Sequence, residues 1–527
     1  MVDEEAGTFV PPFRRWMITV CTMLVTGMQV LDTSVTNVAL PHMQGALSAS
    51  VEEVTWVLTS YLASNAIVIP ATAWLMYLMG RRRLFLLVTI LFTAASVASG
   101  LAPTLTALIS ARVLQGFGAG PIVPLSQAIL WEIFPSRQRG LAMAVWGIGV
   151  MFGPICGPTL GGWITDNWSW RWIFYINLPI GALAFILGSL YIDDSSLDQR
   201  SSRIDWAGLA LMVVGFGAAQ LVLDRGERAE WFDSTGIWVL TLVAVMALGA
   251  FVIRELYAAD PIVDLRVFLD RNFSVGTTMM TLVGLGLFSS MLLFALYTQK
   301  IMSYDAWTAG FVLAPGGVGN LMSLIVAGRL VARIDQRVML AVGCLLNAAG
   351  AYIMSTLSLE MDYWTLAWPR FVQGLGMGFL FVPLTVMALA TIPRDRVANA
   401  TSCFNLVRNL GGSFGVALAA TLLARRSQYH QANLVGNVDA WDPETAHRLR
   451  ELTDHFAAQG AHAYTAERQA LGHLYRITVQ QAQILAYADE FWVIALIFVG
   501  VLAGIPFLRR VHTDPIVKEG TGIVVEG

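Results

Sequence analysis

Long apolar runs separated by short polar links set the rhythm of the chain. They fall near residues 16–40, 54–78, 84–102, 104–131, 140–165, 171–191, 205–223, 236–257, 272–297, 308–331, 338–357, 364–391, 399–423 and 490–508. Each reaches the roughly 20 residues a helix needs to cross a bilayer. The pattern therefore predicts an all-α polytopic membrane protein with fourteen spans. One link breaks the rhythm, because residues 425–489 are polar and long. Inside it, Pro443 to Gln459 has helical periodicity with Leu449, Leu452 and Phe456 on one side. This segment is expected to act as a lid or as a docking surface.

Composition agrees: of 527 residues only 13% are charged and 56% are hydrophobic, with a mean hydropathy of +0.62. Soluble domains carry about a quarter charged residues. Where the charges fall sets the orientation. Arg14, Arg15, Arg81, Arg82, Arg83, Arg137, Arg139, Arg200, Arg203, Arg254, Arg266, Arg271, Arg333, Arg337, Arg394, Arg396, Arg509 and Arg510 fall on one face. The opposite short links hold little beyond Arg171, Arg225, Arg228 and Lys300. By the positive-inside rule both termini are cytoplasmic and segment 425–489 faces outward. The first run continues too far past Arg14 and Arg15 for a cleaved leader, so the first span serves as its own anchor. A net charge of -3 gives no reason to expect nucleic acid. Cys21, Cys156, Cys344 and Cys403 lie in apolar segments and read as small core residues. His430, His447, His455, His462 and His473 share the polar segment at spacings that match no metal motif, so they read as solvated surface histidines.

An internal repeat organises the spans. Arg112, Gln115, Gly116, Gly118 and Gly120 recur 258 residues later as Arg370, Gln373, Gly374, Gly376 and Gly378. Pro124-Leu125 and Pro383-Leu384 follow, and Gly153 and Gly157 meet Gly411 and Gly415. Two parallel six-helix bundles are implied, the architecture of the major facilitator fold, with the substrate site between them near the bilayer midplane. The boundaries are residues 1–191 for the first bundle, 192–271 for two inserted spans, 272–508 for the second bundle with segment 425–489, and 509–527 for a tail.

The candidate chemistry lies inside the membrane. Asp32 stands nine residues before Pro41 in MQVLDTSVTNVALP, about 13 Å inside at 1.5 Å per residue. A carboxylate at that depth costs roughly 2.5 to 3.5 kcal/mol or more and marks an ion or substrate path. The alternative is a position at the outer headgroup level. Arg112, in RVLQGFGAG, lies nine residues after Pro103 and so at matching depth. Pairing lowers the cost of both charges, and the alternative is that Arg112 snorkels to the outer interface. In GVMFGPICGPTLGGW, Gly149, Gly153, Gly157 and Gly161 recur every four residues with Pro154 and Pro158 between them. That spacing forms one face on which a helix of the other half is expected to press, the prolines loosening the ladder. Ordinary small-residue packing is the plainer reading. The run MGRRRLF supplies arginines for topology or for a latch onto acids such as Glu132. Arg408, flanked by Asn405 and Asn409, sits near mid-membrane and is expected to line the cavity, as are Gln29, Gln115, Asn405 and Arg370. Asp224 ends the seventh span and reads as interfacial, and it stands as a secondary candidate for the site.

Together LDTSVTNVALP, RVLQGFGAG, GPICGPTLGGWI, WRWIFYINLPIG, LVLDRGERAEWF and DPIVDL make the chain resemble the fourteen-span drug:proton antiporters of the major facilitator superfamily, nearest to the EmrB-type exporters. The resemblance implies proton-driven export of hydrophobic or amphipathic toxic compounds across the inner membrane. It implies protonation at Asp32, Arg112 in the proton path, and residues 149–162 as the antiporter helix. It further implies a periplasmic EmrA-type adaptor of the membrane fusion class and a TolC-type outer-membrane channel. One departure stands out: where the family carries G-x-L-x-D-x-x-G, this chain reads AWLMYLMG, with Ala73 and Tyr77 at the glycine and acid positions. No cofactor is expected, the proton gradient supplying the drive. Nor is an enzyme expected, since no nucleophile-base set or metal motif reaches the membrane core. The rival readings are a dedicated exporter of one metabolite, such as a fatty acid or siderophore, and a receptor that binds without transporting.

Overall fold

In the computed structural model, residues 11–135, 138–193, 205–258, 260–304, 306–356, 358, 361–436, 438 and 442–510 are described. Arg137, Arg200, Arg203 and the tail beyond Arg510 lie outside them. Each apolar run has its helix, and among the described residues there is no strand. Spans 1 to 6 are Pro12–Ala46, the bent pair Val51–Val68 with Thr72–Met79, Arg81–Leu101, Leu105–Ala119 continued by Ile122–Ile133, Arg139–Asn167, and Asn177–Tyr191. Spans 7 and 8 are Trp206–Arg225 and Thr235–Tyr257. Spans 9 to 14 are Arg271–Leu296, Ala306–Leu330, Gln336–Met354, Tyr363–Leu389, Val397–Val435 and Ala463–Gly504. Among the described residues twelve helices are long and apolar enough to cross a membrane, thirteen with the pair Glu52–Val68 and Thr72–Met79, bent by 60°, taken as one. The 29-residue helix of span 5 fills the remaining window. This is a multi-pass membrane protein.

Local chemistry starts and stops these helices. Span 2 opens on a capping box in which Ser50 Oγ accepts from the Glu53 amide and the Glu53 carboxylate accepts from the Ser50 amide. Between spans 2 and 3 the chain reverses at Gly80, whose φ of 82° suits a residue without a Cβ.

Two sequence expectations change here. The polar segment 425–489 is mostly helix, because span 13 runs unbroken to Val435 and span 14 begins at Ala463. The helix expected over Pro443 to Gln459 forms as Pro443–Ala458 and packs beside this extension of span 14, with the Phe456 ring 6.1 Å from that of His473. His430 is also more than a solvated surface group: its Nε2 lies 2.7 Å from Asp489 Oδ2, where Arg426 also binds. No cluster of metal-ligating side chains occurs among the described residues.

The second change concerns the glycine face of span 5. Its partner is span 1 of the same half, where Gly149 meets Met23, Gly153 meets Val30 and Leu31, Gly157 meets Ser34 and Gly161 meets Val35. A four-residue spacing defines a face, and the neighbour that needs closest approach here is the helix carrying Asp32. The helix continues through Pro154 and Pro158, whose side chains lie outside the described residues.

The two halves meet at the arginine-rich end. Gly140 and Ala144 of span 5 lie against Val331 and Gly328, Gly147 against Leu324, and Asn320 reaches Met151 Sδ at 2.8 Å. Trp146 stacks on Phe381 at 6.1 Å. Asn405 donates to Gln127 Oε1 at 2.6 Å, and Tyr77 donates to the Asp395 carbonyl at 2.6 Å. At the opposite end, span 7 and the turn after it touch both halves, through Asp224 with Thr59, Arg228 with Thr55 at 3.1 Å, Gln220 with Ser413 at 3.2 Å and Trp231 with Thr421 at 2.8 Å.

A Cβ at Gly153 would lie 2.6 Å from the Val30 carbonyl carbon, whereas one at Gly162 meets nothing within 4 Å. Gly153→Ala is therefore expected to destabilise the detergent-solubilised protein by about 1 to 3 kcal/mol, and Gly162→Ala to leave it unchanged or slightly raised. Thermal unfolding followed by intrinsic fluorescence checks this, and equal midpoints for the two variants would contradict the packing.

Candidate functional site

Asp32 sits on the inward face of span 1, fully buried, and spans 4 and 6 send it three donors. Arg112 of span 4 donates Nη1 to Asp32 Oδ2 at 2.6 Å. Gln115, one turn further along span 4, donates Nε2 to Oδ1 at 2.9 Å, and Asn177 of span 6 donates Nδ2 to the same oxygen at 2.8 Å. An ionised carboxylate only accepts, and these three donors supply both its oxygens. Behind them lies a second layer. Arg112 Nη1 also binds Gln115 Oε1 at 2.8 Å, Arg112 Nε binds the Val57 carbonyl of span 2 at 3.1 Å, and Asn177 Nδ2 lies 2.9 Å from Ser96 Oγ of span 3. The guanidinium stacks over the Tyr61 ring at 4.1 Å, with Phe174 on a further side at 5.7 Å.

The local fold explains the meeting. Gly116 and Gly120 lie against the backbone of span 2 and Gly118 against span 3 at Phe92, so span 4 enters deeply between them. That approach carries Arg112 inward to span 1, while the glycine face of span 5 holds span 1 from the other side. The site joins spans 1, 2, 3, 4 and 6.

The remaining predicted residues take different places. Gln115 belongs to the Asp32 cluster and is wholly buried. Gln29 is half-buried one turn from Asp32, its Oε1 without a hydrogen-bond partner among the described residues. Asn405 is buried in the contact between halves. Arg408 is half-buried in span 13, with Asn409 Oδ1 at 3.4 Å. Arg370 lies inside the second half, donating Nη1 to Gln373 Oε1 at 2.7 Å and to Ser290 Oγ at 3.0 Å. Asp224 is exposed and accepts from Thr59. Arg81 pairs with Glu132 at 2.5 Å, the latch partner expected from MGRRRLF, within the first half. Asn177, Ser96, Tyr61 and Gln127 were not singled out from the sequence. For Asn177 the available signal was an amide inside an apolar run.

Residues 22–416 match the family described as Major Facilitator Superfamily. The chain belongs to the major facilitator superfamily. It is 37% identical over 495 residues to the Multidrug export protein EmrB of Escherichia coli (strain K12), covering 94% of this chain and 95% of that protein. It is 35% identical over 493 residues to the Fatty acid resistance protein FarB of Neisseria gonorrhoeae, covering 94% and 96%. A solved structure of a double-tryptophan XylE variant shares the fold at a TM-score of 0.59 and 14% identity, covering 95% of this chain and 97% of that one. Membership places the protein among secondary transporters, outside the enzymes, and makes the Asp32 cluster a charged centre within one bundle of a transporter.

Removing one member of a buried ion pair strands the other and costs about 3 to 5 kcal/mol. Arg112→Gln is expected to unfold at a lower temperature by that equivalent, and the double variant Asp32→Asn with Arg112→Gln to recover most of the loss. Thermal unfolding of the purified variants measures both, and a double variant no more stable than Arg112→Gln would contradict a direct pair.

Proposed function

We propose that this protein exports hydrophobic or amphipathic toxic compounds, drugs among them, in exchange for protons, with Asp32 as the proton-binding group. The observation that carries the coupling is the buried Asp32 to Arg112 contact of 2.6 Å. The match to multidrug export proteins over nearly the whole chain supports the substrate class. A proton on Asp32 removes the charge that Arg112, Gln115 and Asn177 bind, weakening three contacts that join three spans. Asn177 Oδ1 has no donor among the described residues, so a half-turn of that amide would offer a protonated Asp32 an acceptor. Loosening these contacts shifts span 1 against the glycine face of span 5, and span 5 carries the contact with span 10 that closes the halves. The side bearing the arginines is then cytoplasmic, and the structure corresponds to a state closed toward the cytoplasm. Substrate binding from the cytoplasmic side and proton binding from outside compete through the same set of contacts.

The setting is an inner membrane with both termini in the cytoplasm. The helical extensions of spans 13 and 14, with Tyr464 and Tyr475 exposed, are then the docking surface for a periplasmic adaptor of the EmrA type, leading to a TolC-type channel.

In proteoliposomes carrying an inward-directed proton gradient, Asp32→Asn is expected to lower proton-driven efflux of ethidium to background while the protein still unfolds cooperatively. Undiminished coupled efflux from this variant would overturn the assignment.

A further inference from the structure

The repeat that gives the second half its own arginine and glutamine does not give it an acid. The residue 258 positions after Asp32 is Ser290. The structure places it where the repeat predicts, with Arg370 Nη1 bonded to Ser290 Oγ and to Gln373 Oε1 as Arg112 Nη1 is bonded to Asp32 and Gln115. Phe294 lies beside the guanidinium at 5.1 Å from ring centroid to carbon. The scaffold is copied and the countercharge is missing.

Among the described residues neither Arg370 nor Arg408 has a carboxylate at ion-pair distance. An arginine stays protonated in proteins, so the second half holds two guanidinium charges that its own side chains do not balance. Arg370 Nε is buried without an acceptor among the described residues. Arg112 is fully buried, whereas Arg370 keeps 9% exposure and Arg408 more. Arg408 lies one turn from Asn405, the residue that closes the halves onto Gln127, on the side away from the arginine-rich end. Phe288, 39% exposed, packs against Gly412 between spans 9 and 13, the spans that carry Ser290 and Arg408.

We infer that the second half holds an anion subsite: Arg370 binds the negatively charged head of an amphipathic substrate, a carboxylate or phenolate on an apolar body. This rests on the exporter reading and names its substrate class. An anionic head completes the site as Asp32 completes the first half, gaining charge-assisted hydrogen bonds in place of an unbalanced buried cation. A cationic amphiphile gains nothing from Arg370 and binds elsewhere on the apolar lining. The two halves thereby divide the work, with the proton bound on Asp32 in the first and the substrate charge in the second.

The test is equilibrium binding to the full-length protein in detergent, with dansyl-undecanoate as the anionic probe and ethidium as the cationic one. No proton gradient is present, so a failure of coupling, which overturns the exporter reading, is detected only in the vesicle assay. Arg370→Gln is expected to weaken dansyl-undecanoate binding about tenfold or more, with ethidium binding within about twofold of wild type. Ser290→Asp should do the same while keeping the arginine, because it supplies from within the carboxylate that the ligand otherwise brings, in an arrangement the first half already adopts. Arg370→Lys should retain most of the anion binding. The inference is overturned if wild type does not bind the anionic probe, if both Arg370→Gln and Ser290→Asp bind it as wild type does, or if they lose the two probes equally.

Discussion

A carboxylate buried in a membrane has to be compensated, and the first half of this protein is built around doing so. Asp32 brings a charge to the interior of span 1, and Arg112, Gln115 and Asn177 converge on it from spans 4 and 6. The convergence requires span 4 to pass close to spans 2 and 3, which its three glycines permit, and span 1 to be held from behind, which the glycine face of span 5 provides. The cluster is thus a structural keystone and a chemical variable at once. Its contacts converge on one ionisable group, and span 4, one of the helices they join, meets the other half through Gln127.

The second half shows what the scaffold does without the acid. Arg370 and Gln373 keep the relation of Arg112 and Gln115, and Ser290 keeps the place of Asp32 with a hydroxyl. A hydroxyl satisfies one guanidinium hydrogen and leaves the charge unbalanced. The two clusters share the arginine–glutamine relation, and where one has the carboxylate of Asp32 the other has the hydroxyl of Ser290. At the arginine-rich end, by contrast, Gly140, Gly147 and Gly328 let spans 5 and 10 touch, and Tyr77 donates to the Asp395 carbonyl. Neutral contacts of this kind part at low cost in desolvation.

Much of this was legible in the sequence. Ionisable residues in apolar runs announce themselves, and counting back from Pro41 and Pro103 placed Asp32 and Arg112 at one depth. The repeat of Arg112 and Gln115 at Arg370 and Gln373 gave the two-bundle fold. Other features left no readable mark. Asn177 and Ser96 are neutral, and nothing in composition separates an amide that binds Asp32 from one that caps a turn. The spacing of Gly149 to Gly161 gave a face and left its partner open, and that partner proved to be span 1. Residues 425–489 read as a loop because hydropathy reports contact with lipid, whereas the helices of spans 13 and 14 continue with polar faces to Val435 and from Ala463.

The central claim is that one carboxyl group exchanges its proton as the bundles exchange partners. Infrared difference spectroscopy of the reconstituted protein, recorded on adding substrate and repeated with labelled aspartate, observes that group directly. The account predicts that substrate removes a protonated-carboxyl band, and that this band is missing from the Asp32→Asn protein. A difference spectrum with no aspartate carboxyl change, or one unaltered by that substitution, would contradict it.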